Sequence, residues 1–580
     1  VCIAAIVMVH AWVSLAKPVH IDDTHYVYAA RHVFVDPWTP FGNTINWKKE
    51  PGPAYLDNIN PPGFYYLLAG WMALVGESQA AWHVLPLAFV ALAAWALIGI
   101  AGRFCRRPLI ATALVLLSPT VLPSVNLMVD LPSLAWALLA VRLWLRGVDV
   151  DDRRSAWAAG LAAGLAILTK YQALVLLPVL AGYALLVGRW RVLVGLLPAP
   201  LLLALWSWHN VLVYPEGQPH FAMASAYRPF ERTAHYWWQS FLALGQVLGA
   251  SIVVPPVVLL AWRRLIGWAG WIACGVTLLL LVPTATPWWK HPVFHSRTEL
   301  LTFGAATLFV VLLAAMAKPA NEPLSRDLLF LWGWLATTMG ALLVLAHHQA
   351  PRYHWLALVP AVLLVVRGFD LLVPASLRRP LWALTLCLHV GIAVFVAAAD
   401  FVHAKAAAVA PVRVAERSPP QRVWCVGHWG FQFACEELGF GIVDAVKGTI
   451  AAGDWVAIPR NSSLENLPRQ FRPLGSGRPL CNGTPLFELI VLDDYHDGAD
   501  VVIEGDGWMV RSLAAVYDLW PFAVTAPPDA FLYSVRAPTV PYSWLHVGQE
   551  RRWQVGGSIE QVHLVRARCD IDLSTLPSTP

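Results

Sequence analysis

VLPLAFVALAAWALIGIAGRFCRR, residues 84–107, decides which solvent this chain is built for. From Val84 to Gly102 there is no Asp, Glu, Lys or Arg; Arg103, Arg106 and Arg107 then follow together. At about 1.5 Å of rise per residue, roughly 20 apolar residues span the ~30 Å hydrocarbon core of a bilayer. A run of this length closed by arginines reads as a membrane helix with one end in the cytoplasm. The pattern recurs over the first 400 positions. Spans are expected at 1–16, 80–102, 109–125, 128–146, 156–170, 172–188, 191–209, 240–262, 266–283, 300–317, 328–346, 353–367 and 380–399, about thirteen helices. Composition agrees: 58% of the 580 residues are hydrophobic and 13% charged, against about 25% charged in soluble domains.

Placing the start of the chain inside puts Arg103/Arg106/Arg107, Arg146/Arg153/Arg154, Arg189/Arg191, Arg263/Arg264, Lys318/Arg326 and Arg367/Arg378/Arg379 in cytoplasmic turns. Each of these short turns carries at least two basic residues, as the positive-inside rule requires. Residues 1–16 then read as the remainder of a first helix, with a cleaved signal peptide as the alternative. The outward side holds the loop 17–79, other loops rich in Trp, Tyr, Pro and His, and everything beyond about 400. The net charge of +5 has no separate basic stripe, which argues against a nucleic-acid partner.

The expected architecture is therefore a polytopic α-helical membrane protein with a C-terminal extracytoplasmic α/β or α+β domain. The membrane domain covers 1–400, a linker 401–410, the soluble domain 411–570 and a frayed tail 571–580. Within the soluble part RVWCVG and DWVAIP read as buried strands, GFQFACEELGF as a helix between them, and VVIEGDGWMV and AFLYSVR as further strands. Cys425, Cys435, Cys481 and Cys569 all fall there, where one or two disulfides are plausible in an oxidising compartment. No Cys/His spacing suggests zinc.

Ionisable groups gather at helix ends on the outward side. HIDDTHYVYAARHV, residues 20–33, sets the carboxylates Asp22 and Asp23 where the first helix leaves the membrane. They can be an acidic helix start, favoured by the macrodipole, or a general base at the membrane surface. Asp130 in NLMVDLPS opens a helix, as a cap or as a carboxylate facing a cavity. Lys170 in ILTKYQ can snorkel or hold a lipid phosphate. Arg352 and Tyr353 in HHQAPRYHW form an interfacial belt or a phosphate site. Lys290, His291 and Arg297 make a less specific cluster. The stretch PPGFYYLLAGWMALVG, residues 61–76, is apolar but short and is expected to lie along the interface.

In this order and spacing the chain resembles the polyprenyl-phosphate-dependent glycosyltransferases of the glycosyltransferase C superfamily, especially the protein mannosyltransferase family 39 and the lipid A aminoarabinose transferase type. Those proteins carry an acidic pair and a Tyr-rich helix, matched by Asp22-Asp23 with Tyr26 and Tyr28. Their Lys-Pro-Pro-Leu-Tyr-Tyr segment is matched by Pro61, Pro62, Tyr65 and Tyr66, with Asn60 in place of the Lys; Lys48, Lys49 and Lys170 are candidates to replace that charge. Asp130, Leu168-Thr169-Lys170 and Arg352-Tyr353 with Pro360 match further landmarks. The family's Glu is the shorter Asp23 here.

The resemblance implies an inverting transfer of a sugar from a polyprenyl-phosphate donor to a hydroxyl of a protein, lipid or glycan acceptor, at the periplasmic or exterior face of a plasma membrane. Asp22 would act as base, with Asp23 and Asp130 positioning it or the acceptor, or holding a divalent cation where one is used. Lys170 and Arg352 would stabilise the departing lipid phosphate, with Asn60, Tyr65 and Tyr353 in the substrate site. No other cofactor is expected. A transporter or flippase, or an O-antigen ligase-like transferase, is the alternative; a transporter would place its charges nearer the bilayer midplane.

Overall fold

The computed structural model describes residues 2–46, 51–57, 60–214, 325–345, 351–417, 422–427, 429–443 and 448–459, with short pieces between 244 and 314 and between 480 and 572. It is mostly helical. Among the described residues six helical stretches are long and apolar enough to cross a membrane: Gln79–Phe104, Asp130–Asp149, Trp190–Val213, Arg326–Val344, Pro351–Leu372 and Ala375–Val394. Each coincides with an expected span. The spans expected at 1–16, 109–125, 156–170 and 172–188 are shorter helices, Cys2–Ser14, Pro108–Leu116, Arg153–Thr169 and Leu176–Val187. The three expected at 240–262, 266–283 and 300–317 lie wholly or largely outside the described residues. The chain is an integral membrane protein.

Two expectations change. The span 109–125 ends early: its helix stops at Leu116, and a fully buried irregular stretch with one 3-10 turn, Leu122–Ser124, follows. Pro119 and Pro123 remove backbone donors there. Ser124 Oγ supplies a donor, to the Thr120 carbonyl at 2.7 Å, and Ser118 Oγ satisfies a backbone N–H by accepting from Val121 N at 3.1 Å. Irregular backbone is tolerated in a membrane protein only where protein encloses it, as it does here. The second change is at the expected linker 401–410. Helix runs unbroken from Ala375 to Arg417, because FVHAKAAAVA is rich in the best helix former.

Small residues set the close packing around helix Arg153–Thr169. Gly147 faces Ala156, and Gly160 and Gly164 face Gly195, Pro198 and Ala199, where an added Cβ would meet backbone atoms. Such contacts let apolar helices approach closely without a hydrophobic drive between them. Asp152 starts this helix by accepting from Arg154 N at 3.0 Å and Ser155 Oγ at 2.6 Å. Its far end, Leu168, lies against Gly63, so the short helix Gly63–Val75 begins on the segment that carries Lys170.

Beyond Arg417 the expected α/β pattern appears in part. Strand Val423–Cys425 pairs in parallel with Gly441–Ile442 and with Trp455–Pro459, and helix Trp429–Glu437 connects the first two. Strand Ser558–Ala567 joins antiparallel to Trp455–Pro459 and also pairs Asp500–Glu504 and Phe487–Leu489. The strand expected at AFLYSVR lies outside the described residues. Cys425 and Cys435 are buried free thiols in this core.

Candidate functional site

The acidic turn is built by an unusual backbone. Ile21, a buried β-branched residue, has φ +49°, in the left-handed region that such residues avoid. The kink lets helix Asp23–Val35 start immediately after Asp22, and Thr24 Oγ1 secures it on the Ile21 carbonyl at 3.0 Å. Asp22 does not cap this helix: its carboxylate makes no capping bond. Instead Arg352 Nη2 donates to Asp22 Oδ2 at 2.9 Å, across 330 residues of sequence.

Asp130 does not cap its helix either. Lys170 Nζ donates to Asp130 Oδ1 at 2.5 Å, and Arg352 Nε stands 3.9 Å from Asp130 Oδ2. Four side chains thus alternate in sign: Asp22, Arg352, Asp130, Lys170. Arg352 and Asp130 are buried, whereas Asp22 keeps 27% of its side chain exposed. Lys170 Nζ also lies 4.3 Å from the centre of the Tyr353 ring, and the Tyr353 carbonyl accepts from Gln172. The 3-10 turn Pro351–His354 and the extended Lys170 that ends helix Arg153–Thr169 bring these cations to one place.

The floor is aromatic. Tyr26 stacks on Tyr65 with centroids 5.1 Å apart, Phe41 meets Tyr65 edge-on at 5.2 Å, and Asn60 Nδ2 donates to Tyr26 Oη at 3.3 Å. Burial, then the neighbouring Tyr65, Asp130 and Asp22, push the Tyr26 phenol well above its usual range. It therefore stays a neutral hydroxyl beside the charged cluster. Tyr26 matters more than its place in a Tyr-rich run suggested; the readable signal was a phenol at helical spacing behind an acid.

Asp23, expected beside Asp22, is elsewhere. Adjacent residues on a helix do not share a face. Asp23 is fully buried and turns to His20, with Oδ2 at 3.4 Å from His20 Nδ1. Asp130 and Asp23, expected to position Asp22 or the acceptor or to hold a divalent cation where one is used, take different partners, Lys170 and His20, and do not come together to hold one. Among the described residues no group of three His, Cys, Asp or Glu is arranged to hold a metal ion. Lys48, Lys49, Lys290, His291 and Arg297 lie outside the described residues.

Residues 59–212 match the family model described as dolichyl-phosphate-mannose-protein mannosyltransferase. Over that stretch, about a quarter of its length, the chain is similar to this family. The matched stretch holds Asn60, Tyr65, Asp130 and Lys170 and stops short of Arg352, so the charged cluster joins residues from inside and outside it. No curated protein matches the chain. Among solved structures, ArnT from Cupriavidus metallidurans bound to undecaprenyl phosphate is 17% identical, with 79% of this chain and 92% of that one covered and a TM-score of 0.36. The oligosaccharyltransferase of Archaeoglobus fulgidus tethered with an acceptor peptide is 11% identical, with 97% and 88% covered and a TM-score of 0.46. The arabinosyltransferase EmbB of Mycobacterium smegmatis is 16% identical, with 85% and 47% covered and a TM-score of 0.31.

Proposed function

We propose that the chain is a glycosyltransferase that moves a sugar from a polyprenyl-phosphate donor to an acceptor hydroxyl, with inversion, on the membrane face opposite the arginine-rich turns. The observation that carries the reading is the alternating cluster Asp22–Arg352–Asp130–Lys170 at the entrance of helix Asp130–Asp149. A donor phosphate entering it competes with the carboxylates for Arg352 and Lys170. Once Arg352 turns to the phosphate, Asp22 is released and, being the exposed member, faces the acceptor.

The chemistry then balances. The acceptor oxygen attacks the anomeric carbon while its proton passes to the Asp22 carboxylate. The bond from that carbon to the phosphate oxygen breaks, and its electron pair leaves with the lipid phosphate. The donor diester carries one negative charge and the product monoester two. Cations already in place at that oxygen favour the transition state over the ground state. Asp130 keeps Lys170 and Arg352 oriented, and the neutral Tyr26 hydroxyl offers a hydrogen bond without adding charge.

The test uses purified protein in vesicles with synthetic undecaprenyl-phosphate sugars, mannosyl and aminoarabinosyl first, following release of undecaprenyl phosphate. Loss of a general base costs about 10²–10⁴-fold, so Asp22→Asn is expected to lose turnover on that scale while still binding undecaprenyl phosphate. Undiminished release in that variant would sink the base assignment. Vesicles that move solute but never release undecaprenyl phosphate would favour a transporter.

A further inference from the structure

A second charged cluster lies directly behind the acidic turn, and sugar transfer as outlined above does not use it. Lys17 Nζ reaches Asp400, the Pro123 carbonyl at 3.1 Å and Asn126 Oδ1. His20 stands between two carboxylates: Nε2 is 3.4 Å from Asp400 Oδ1, and Nδ1 is 3.4 Å from Asp23 Oδ2, an ion-pair distance without hydrogen-bond geometry, while Asp23 Oδ2 also accepts from His20 N at 3.5 Å. All four charged side chains are at most 3% exposed. The other oxygen of Asp23, Oδ1, is buried and has no hydrogen-bond partner among the described residues. Asp23 thus leans on His20.

The cluster joins distant parts of the chain. Lys17 and His20 leave the first helix, Asp23 begins the helix behind Asp22, and Asp400 belongs to the long helix Ala375–Arg417 that leads into the C-terminal sheet. The C-terminal part closes the same joint from outside: a Cβ at Gly430 would lie 2.8 Å from His20 Cα. Tyr28 bonds Glu436, and Arg31 bonds Glu437 at 2.9 Å and Glu77 at 2.8 Å.

We propose that His20 and Asp23 are positioning residues that lock the turn presenting Asp22 onto helix Ala375–Arg417, and that the lock holds only while His20 carries its second proton. The charges require it. With His20 protonated, Lys17 and His20 balance Asp23 and Asp400. Without that proton a net negative charge is sealed away from water, which is costly. The groups facing His20 are Lys17 on its own segment, Asp23, Asp400, and His83 at the start of helix Val84–Phe104, whose Nδ1 is 2.8 Å from the Gln79 carbonyl. Helix Trp429–Glu437 presents backbone at Gly430, its glutamates being engaged with Tyr28 and Arg31. Burial and Lys17 push the His20 imidazole down, but Asp400 and Asp23 outweigh them and hold it above its ordinary value. Burial alone would raise the Asp400 carboxyl; Lys17 and His20 reverse that and hold it at about 2.

The sign follows. A histidine raised in the folded state contributes stability that is complete below its ordinary value of about 6.5 and is lost as pH rises through the raised value. Hydrogen exchange of the full-length protein in nanodiscs, pH 6 to 9, reads this at the amides of residues 18–28. After correction for intrinsic rates, protection is expected to fall by up to about tenfold per pH unit within that window. A flat profile in the wild type overturns the lock. His20→Gln is expected to be poorly protected and insensitive to pH, while His83→Gln keeps the wild-type slope; the reverse pattern overturns the assignment to His20. Should His20→Gln fail to fold, the wild-type and His83→Gln profiles still decide.

The consequence for transfer rests on Asp22 acting as proposed, and a second arm separates the two. Release of undecaprenyl phosphate, measured on the same samples, should lose kcat with KM for the donor unchanged where protection is lost. Unchanged kcat there overturns the positioning role. A titrating lock in a protein that releases no undecaprenyl phosphate at any pH leaves the lock standing and counts against the sugar transfer.

Discussion

Asp22 and Asp23 are neighbours in sequence, yet each sits in a different four-membered charge cluster. In the first, Asp22, Arg352, Asp130 and Lys170 have side chains 27%, 7%, 6% and 12% exposed. In the second, Lys17, Asp400, His20 and Asp23 are 3%, 1%, 2% and 0% exposed. Two acids and two bases make up each, and both tie the first loop to a late helix. The difference is access. A charged ligand can displace an ion pair that opens to solvent, because the released carboxylate regains water. In a sealed pair the released charge has nowhere to go, so the pair works as a fastener. The pairing is alike in the two clusters; access differs, with Asp22 and Lys170 reaching solvent in the first and no member doing so in the second.

The comparison breaks most visibly at Asp400. Asp400→Asn leaves Lys17 buried without a counter-charge, and breaking a buried pair from one side costs about 3–5 kcal/mol. Thermal unfolding in detergent should fall accordingly, far more than for Asp22→Asn. Equal destabilisation of the two variants would erase the distinction between sealed and open clusters. The next effect tests the open cluster. Arg352 reaches Asp22 through Nη2 and Asp130 through Nε at once, which a planar fork can do and a point charge cannot. Arg352→Lys is expected to keep its charge and its melting behaviour but to lose roughly a hundredfold in release of undecaprenyl phosphate, the scale of a lost charge-assisted hydrogen bond. Near-normal release would mean that charge alone suffices.

The open cluster was largely legible in the sequence. Asp22, Asp130, Lys170 and Arg352 each stand at the edge of an apolar run, and a charge at membrane depth needs a partner. The six long spans were legible for the same reason: apolar length and arginine turns are local signals. The sealed cluster was not found, although Asp400 after VAAA carries a similar mark. It reads as the end of a span because Ala-rich helix continues past the membrane without a change in composition. The pairing of Asp23 with Asp22 misled for a geometric reason, since residues one step apart on a helix point about 100° apart. Likewise the early end of the 109–125 span depends on the Ser118 hydroxyl accepting from one backbone N–H and the Ser124 hydroxyl donating to one backbone carbonyl, a compensation that hydropathy does not record.

The smallest effect concerns how tightly the open cluster is held, and two glycines of one helix isolate it. At Gly63 a Cβ would lie 2.6 Å from the Leu168 carbonyl oxygen and 3.1 Å from its carbon, two residues before Lys170. At Gly70 it would meet nothing within 4 Å. Gly63→Ala must therefore push helix Gly63–Val75 away from the strand of backbone that sets Lys170, at a cost on the order of 1–2 kcal/mol. Gly70→Ala, in the same helix, should be neutral or slightly stabilising, because alanine loses less conformational freedom there. If the approach of these two elements fixes the distance between Lys170 and Asp130, Gly63→Ala will weaken undecaprenyl phosphate binding as well as melting, and Gly70→Ala will change neither for the worse. A Gly63→Ala protein that melts earlier but binds undecaprenyl phosphate normally would show that Asp130 alone orients Lys170, and that the close helix contact serves the fold and not the phosphate.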